Sequence, residues 1–312
     1  MNIPGYVDLQ VNGHIGIDFS SPDLTKDKII FATRELRKQE TIAFLPTIVT
    51  CPMDVYEKNL PLIAKAMEEK DMENAILGIH LEGPFLSDCE ARGVHNPDWM
   101  LHPDKDHFDK LYNLAGGKIK MITISAELPG AESFCKYASG LGITVSLGHQ
   151  MATETEIYAL ARAGATSLTH LGNGIPHLIA RHHNPLIAGM ANDDLTAMII
   201  SDSFHLPPSL IKTIIRTKGP GNIVVVSDAS PVAGLSPGNY HLFGIDTVLE
   251  ESGLLHNPKT GYLAGSSYTM KQCIEYLKTL NLLSDRELQE VGFFNPLRLI
   301  HINPEILLGK TE

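Results

Sequence analysis

Eight short runs rich in Val, Ile and Leu recur along the chain, separated by longer amphipathic stretches, and this alternation constrains the fold more than any other feature. The runs are Tyr6 to Val11, Ile42 to Val49, Ile76 to Leu81, Lys120 to Ser125, Thr144 to Leu147, Ser167 to Leu171, Thr196 to Ser201 and Ile223 to Ser227. Continuous apolar runs of this length predict strands covered on both faces, as in a parallel sheet with helical crossovers. Helical periodicity occupies Lys26 to Lys38, Asp54 to Lys70, Ala131 to Gly140, Thr153 to Ala163 and Pro208 to Thr217, with a shorter helix at Pro185 to Ala191. Eight strands close a barrel with a filled interior, so the expected class is α/β, a (β/α)8 TIM barrel. An open doubly wound sheet is the rival, but it usually carries a GxGxxG turn after its first strand, and none stands there. After the eighth run the pattern changes. Tyr240 to Ala264 predicts a β-hairpin insert, near 240–265, with Asn257-Pro258-Lys259-Thr260-Gly261 as turn material. Helices are expected over Ser267 to Leu280 and Ser284 to Asn295. With no linker, repeat or low-complexity tract, 1–312 reads as a single barrel domain.

Hydrophobic residues make up 43% of the chain, enough for a large core, and charged residues 20%. The net charge of −11 repels nucleic acid and anionic membrane, which excludes both as expected partners. An anionic small substrate would then need a local cluster of positive groups. Cys51, Cys89, Cys135 and Cys273 form no CxxC pair, as expected of reduced thiols in a cytoplasmic protein. The start, Met1 to Gly5, has neither a basic region nor an apolar core, so no signal peptide is expected. No apolar run reaches the roughly 18 residues of a membrane span.

Polar residues gather where the predicted strands end, which in a barrel is the C-terminal mouth. Strand one ends on Gln10-Val11-Asn12, strand three on His80-Leu81-Glu82-Gly83-Pro84, strand five on Gly148-His149 and strand six on Thr169-His170. Asp202 and His205 follow strand seven, and strand eight ends on Ser227-Asp228. A lone histidine at a strand end is usually a structural hydrogen-bonder, but closure forces this whole set into one small volume. Glu82, His149 and His170 make a zinc-type set, two imidazoles and a carboxylate, leaving a position for water. Such an ion lowers the pKa of its water to about 7 and polarises a carbonyl. One divalent ion is expected; zinc suits the ligands, and iron, cobalt or manganese binds the same set. Asp228 suits general acid/base work, passing a proton from water to a leaving amine. His80 faces the interior with Glu82 and reads as a packed, hydrogen-bonded core residue rather than a ligand support. Gln10 and Asn12 share a face, but neutral amides are poor ligands for a transition metal, so a second ion is not expected and the two amides are expected to hydrogen-bond a water or each other.

These residues carry a resemblance. The chain is similar to the N-acetylglucosamine-6-phosphate deacetylases of the amidohydrolase superfamily, through Pro4 to Gly13, His80 to Phe85, Gly93-Val94-His95-Asn96-Pro97, Gly148-His149, Thr169 to Asn173, Asp202 to His205, Val226 to Ala229 and Leu263-Ala264-Gly265-Ser266. The resemblance implies that Glu82, His149 and His170 hold the metal and that Asp228 is the general acid/base. His95 would reach the acetyl carbonyl or the sugar. Asn173, Gly174, Val94, Ser266 and His205 would meet the substrate, and Gln10 and Asn12 match a single-metal subgroup. Arg181 would pair with the 6-phosphate across a homodimer interface. The implied reaction releases acetate from N-acetylglucosamine-6-phosphate. N-acetylgalactosamine-6-phosphate, another acylated amine, or a non-catalytic sugar-phosphate-binding barrel are the alternatives. Three departures accompany the likeness. The small β-sandwich usual in the family is expected to be absent, Gly172 stands where a bulkier residue is common, and Gly174 replaces the usual alanine.

Overall fold

The structure is a computed structural model that describes residues 3–308. Eight parallel strands form one sheet in simple sequential order: β1 (Tyr6–Val11), β2 (Thr41–Val49), β3 (Ile79–Glu82), β4 (Ile119–Ile124), β5 (Thr144–Leu147), β6 (Ala165–Leu168), β7 (Thr196–Ile200) and β8 (Ile223–Val226). A parallel bridge between Val11 and Ala229 brings the last strand back to the first. Asp8 ties the same seam, accepting hydrogen bonds from the Ser227 backbone N–H and hydroxyl. The sheet is therefore the expected barrel, and its bounds lie within a few residues of the apolar runs in the sequence.

The helices alternate with the strands because their apolar stripes have a sheet to cover. Ile29, Ala32, Thr33 and Leu36 are the buried face of Lys26–Lys38, at helical spacing. Thr153 and Glu156 close a capping box at the start of Glu154–Arg162, satisfying two N–H groups that the first turn leaves free. Two helices are absent from the sequence reading, Lys105–Leu114 and the single turn Glu305–Leu308. Lys105–Leu114 buries only Phe108 and Leu111, too sparse a stripe to stand out, although Asp104 caps it by accepting from His107 N at 2.8 Å. The helix expected to stop near Asn295 instead widens into a π turn at Glu290–Phe294 and continues through Asn295–Leu299. The wide turn precedes Pro296, which has no N–H to offer an α ladder.

The apolar core divides into an outer and an inner part. The outer cluster lies between sheet and helices and includes Ile48, Leu81, Ile122, Val145 and Ile199. The inner cluster joins Leu9, Leu45, Met121, Met198 and Val224 to Phe293, Leu297 and Ile300, so the turn and helix at 290–299 plug the N-terminal end of the barrel. Asn295 donates to Ile223 O at 2.7 Å and Thr144 to Leu299 O at 2.8 Å, pinning the plug to strand starts.

The insert after β8 is a three-stranded antiparallel sheet, β9 (Gly238–Leu242), β10 (Ile245–Leu249) and β11 (Leu255–His256). Its tight turn falls at Phe243-Gly244, where φ is +53° and +79°, the left-handed pair a two-residue hairpin requires. After the turn at Glu250 to Leu254 that joins β10 to β11, Asn257 to Gly261 makes a third, returning the chain to an antiparallel bridge between His256 and Leu263. Among the described residues, no helix is long and apolar enough to cross a membrane.

Candidate metal centre

The barrel interior becomes more polar from floor to mouth. Above the apolar plug lies a layer of hydroxyls around His80. Its Nδ1 meets Leu9 O at 2.9 Å and its Nε2 meets Thr123 Oγ1 at 2.8 Å. Thr123 continues to Thr169 at 2.8 Å, and Thr169 donates to Ser146 at 2.6 Å. Burial pushes the His80 pKa down to about 4, so the ring is neutral. This is the packed, hydrogen-bonded histidine expected from the sequence.

One layer higher, Glu82, His149 and His170 meet. Glu82 Oε1 lies 3.2 Å from His149 Nε2 and 3.0 Å from His170 Nε2, and the two nitrogens are 3.0 Å apart. All three residues are buried. His149 Nδ1 sits 3.0 Å from Ala91 O, a pure acceptor, so Nδ1 carries the proton and Nε2 of the neutral ring presents a lone pair. That lone pair faces a carboxylate oxygen and a second imidazole nitrogen. His170 Nδ1 has no partner, so nothing in the protein fixes its proton away from Nε2; with that proton on Nδ1, two imidazole lone pairs and one carboxylate oxygen converge, a set that suits a divalent transition ion. The residues present therefore fit a metal.

The backbone supports the placement at a cost. His149, His170 and Asp228 have φ of +50°, +32° and +51°, left-handed values that each cost on the order of 1–3 kcal/mol in residues of this kind. Each stands just past the end of its strand, where the unusual φ lets the side chain turn into the mouth. Gly174, at φ +61°, backs onto this cluster. A Cβ there would stand 3.1 Å from both His149 Nδ1 and His170 Cε1. At Gly172, φ +99°, a Cβ would meet Leu206 Cδ2 at 2.7 Å, so the bulkier residue common at that position would require the end of the Leu206 side chain to shift and a left-handed backbone that favours glycine.

Asp228 accepts from Asn12 Nδ2 at 2.8 Å. Burial, reinforced by the charge of Glu82, raises its pKa to about 7. Gln10 Nε2 donates to Glu82 Oε1 at 2.8 Å. The shared face expected for Gln10 and Asn12 is present, but the amides do not bond each other: each donates to a carboxylate, because a buried carboxylate is the stronger acceptor within reach. The register shift between Asp8 and Val11 accompanies this, since Leu9 belongs to the inner apolar cluster while Gln10 reaches the mouth.

A pocket of about 550 Å³ opens above the cluster, lined among others by Asn12, Glu82, Val94, His95, Asn173, Gly174, His205 and Asp228. His95 stands edge-on to His149 with ring centroids 4.5 Å apart. Burial, then the neighbouring His149, push its pKa down to about 3, so it too is neutral, and its Nδ1 is buried without a partner. The insert contributes the rim through Phe243, Gly261, Tyr262 and Leu263, which sequence reasoning missed because their position depends on how the small sheet folds over the mouth.

Two residues from the sequence reading stand elsewhere. Ser266 is 1% exposed and does not line the pocket; its hydroxyl donates to Asp202 Oδ2 at 2.9 Å. Arg181 is exposed on the loop between β6 and the helix Pro185–Ala191, outside the pocket lining. Among the described residues that line the pocket there is no lysine or arginine.

No protein-family model matches the chain. Individual relatives do. The N-acetylglucosamine-6-phosphate deacetylase of Bos taurus is 32% identical over 309 residues, covering 95% of this chain and 74% of the bovine protein. That of Lysinibacillus sphaericus is 29% identical over 295 residues, covering 94% and 74%. Among solved structures, a variant of the Mycobacterium smegmatis N-acetyl-D-glucosamine-6-phosphate deacetylase in complex with N-acetyl-D-glucosamine-6-phosphate matches with a TM-score of 0.87 at 28% identity, over 96% of this chain and 78% of that one. The Thermotoga maritima enzyme matches with a TM-score of 0.86 at 26% identity, over 98% and 81%. With the Glu82, His149 and His170 cluster, the acid beside it and this extent of similarity together, the chain belongs to the N-acetylglucosamine-6-phosphate deacetylase family.

Proposed function

We propose that this protein hydrolyses the acetamide of N-acetylglucosamine-6-phosphate, giving glucosamine-6-phosphate and acetate. The observation that carries the reading is the meeting of Glu82, His149 and His170 beside Asp228 on the floor of one pocket. A divalent ion held by those three, zinc by their chemistry, would polarise the amide carbonyl and acidify the attacking water. Asp228 takes the water proton on its carboxylate and delivers it to the amine as the C–N bond breaks. Burial raises the Asp228 pKa above the usual carboxylate range, which suits a group that must accept a proton and then give it up. Gln10 and Asn12 hold the Glu82 and Asp228 carboxylates in place. His95 faces the acetyl group, and Val94, Asn173, Gly174 and His205 surround the sugar.

The 6-phosphate needs a cation that the lining of this pocket lacks. Arg181 supplies it in this reading, from the exposed loop of a second copy, which makes the working form a homodimer. The loop also carries Leu178, 90% exposed and without cover in the single chain. The reading takes 1–312 as one catalytic domain, with the insert as the pocket rim. Cytoplasmic residence completes it, on the strength of four free cysteines, three of them buried.

Acetate release measured on N-acetylglucosamine-6-phosphate, N-acetylgalactosamine-6-phosphate and unphosphorylated N-acetylglucosamine tests the proposal. The first should be preferred, and Arg181→Ala should raise KM for the phosphorylated sugars only. Preference for an unphosphorylated substrate would remove the phosphate assignment; stoichiometric binding without acetate release would replace the enzyme with a sugar-phosphate-binding barrel.

A further inference from the structure

Behind His205 the chain builds a buried relay that the reaction as described does not use. Asp202 follows β7 and is 1% exposed. Its Oδ1 accepts the backbone N–H groups of Phe204 and His205, both at 2.9 Å. Its Oδ2 lies 2.7 Å from His205 Nδ1 and accepts the Ser266 hydroxyl at 2.9 Å. The turn that folds His205 back over Asp202 passes through Ser203 at φ +73°, a left-handed position costly for a residue with a side chain. Ser266 is fixed in turn: its hydroxyl accepts Tyr268 N at 3.0 Å, and its backbone N–H donates to Asp228 O at 2.8 Å. All four contacts to Asp202 are thus made by donors, and the His205 ring is left with one free nitrogen, Nε2, in a residue that lines the pocket.

We propose that Asp202 and Ser266 are positioning residues for His205, fixing its proton on Nδ1 and presenting Nε2 to a substrate hydroxyl. A carboxylate accepts and never donates, so the nitrogen facing it must carry hydrogen. Burial alone favours the neutral ring, but Asp202 and then Asp228 outweigh it and raise the His205 pKa, in keeping with a ring held against a carboxylate. The proposal rests on His205 meeting the sugar, as in the function above. It reassigns Ser266 from substrate contact to support of the residue that makes the contact.

Asp202→Asn is a sharp probe. Two backbone N–H groups require an oxygen at the Oδ1 position, so the amide NH2 must take the place of Oδ2 and point at His205 Nδ1. A donor there demands a lone pair on Nδ1 and drives the proton to Nε2, the wrong tautomer for the wild-type contact. Imidazole nitrogen NMR of the intact protein should show a protonated Nδ1 in the wild type and a protonated Nε2 in the neutral ring of Asp202→Asn. kcat/KM for acetate release should fall about 10–100-fold, a loss of the size seen when a supporting partner is removed. In a His205→Ala background the same change should cost no more than about twofold, because the residue it positions is gone. Ser266→Ala should give a smaller loss that also vanishes in that background, and it carries the cycle if Asp202→Asn folds poorly. A His205 ring that keeps its proton on Nδ1 in Asp202→Asn, or full additivity in the cycle, would overturn the proposal. If His205→Ala alone leaves kcat/KM unchanged, the sugar contact fails instead, while the tautomer measurement still decides the positioning.

Discussion

Two polar layers lie one above the other inside this barrel, equally buried and differently satisfied. The lower one, around His80, pairs each ring nitrogen with a partner and links on through Thr123, Thr169 and Ser146. The upper one sets a carboxylate oxygen and two imidazole nitrogens within 3.2 Å of one another, with His170 Nδ1 unpartnered. Glu82 and His80 are two residues apart on one strand, so burial and strand position do not distinguish them. What separates structure from function here is whether donors match acceptors. A matched network stabilises; lone pairs and a carboxylate brought together with an unpartnered ring nitrogen beside them fit a cation instead.

The largest effect expected from this contrast is on turnover. Asp228→Asn removes the proton carrier while keeping its shape and its bond to Asn12. It should lower the rate of acetate release by about 10²–10⁴-fold, the range for loss of a general acid/base. Metal content measured on the same preparation should not change. A rate near that of the wild type would end the assignment of Asp228.

Next in size is a reversal of stability between the two layers. His80→Ala leaves Leu9 O and Thr123 without their partner and opens a cavity, and should cost about 2–4 kcal/mol with or without metal. His170→Ala removes one of the crowded acceptors. In chelator it should cost under about 1 kcal/mol, because a cavity is partly offset by relief of the acceptor contacts. In excess zinc it should cost more, since ligand binding to the folded state alone stabilises that state. Urea unfolding of both variants under the two conditions checks this. Equal costs for both variants in chelator would mean that the upper layer is as well satisfied as the lower.

Much of this contrast was legible in the sequence. The strand bounds followed from apolar runs, because a strand covered on both faces leaves no choice of residue. The metal set followed from the placement of Glu82, His149 and His170 at strand ends, since closure brings such ends together. Long-range pairing was not legible. Nothing local in Leu263-Ala264-Gly265-Ser266 shows that the serine turns inward to Asp202 rather than toward the substrate. Asn, Pro and Gly concentrate at Asn257 to Gly261, yet Phe243-Gly244 takes the tight hairpin turn, with an aromatic residue at positive φ. That choice is made by the strands on either side, not by turn propensity. The rim over the pocket depends on the same tertiary packing, and so does the location of Arg181 outside it.

The smallest effect concerns another buried acid, which separates satisfaction from charge. Asp8, at the seam of β1 and β8, accepts from Gln10 N, Ser227 N and the Ser227 hydroxyl, yet burial outweighs these bonds and raises its pKa to about 6. The unfolded chain releases that proton near pH 3.8, the ordinary value for the group, whereas the folded chain keeps it until about pH 6. Between those values the folded state binds more protons, so stability must fall as pH rises, and the loss is complete above the folded pKa. A shift of this size corresponds to up to about 3 kcal/mol, and relaxation around the seam reduces it. Asp8→Asn keeps all three bonds if its amide nitrogen donates to Ser227 Oγ, and it has no proton to lose. Urea unfolding in chelator from pH 4 to 7 should therefore show the wild type losing stability relative to Asp8→Asn as pH rises. Parallel curves would mean that Asp8 is as comfortable charged as neutral, and that three well-placed donors are enough to offset full burial of a carboxylate.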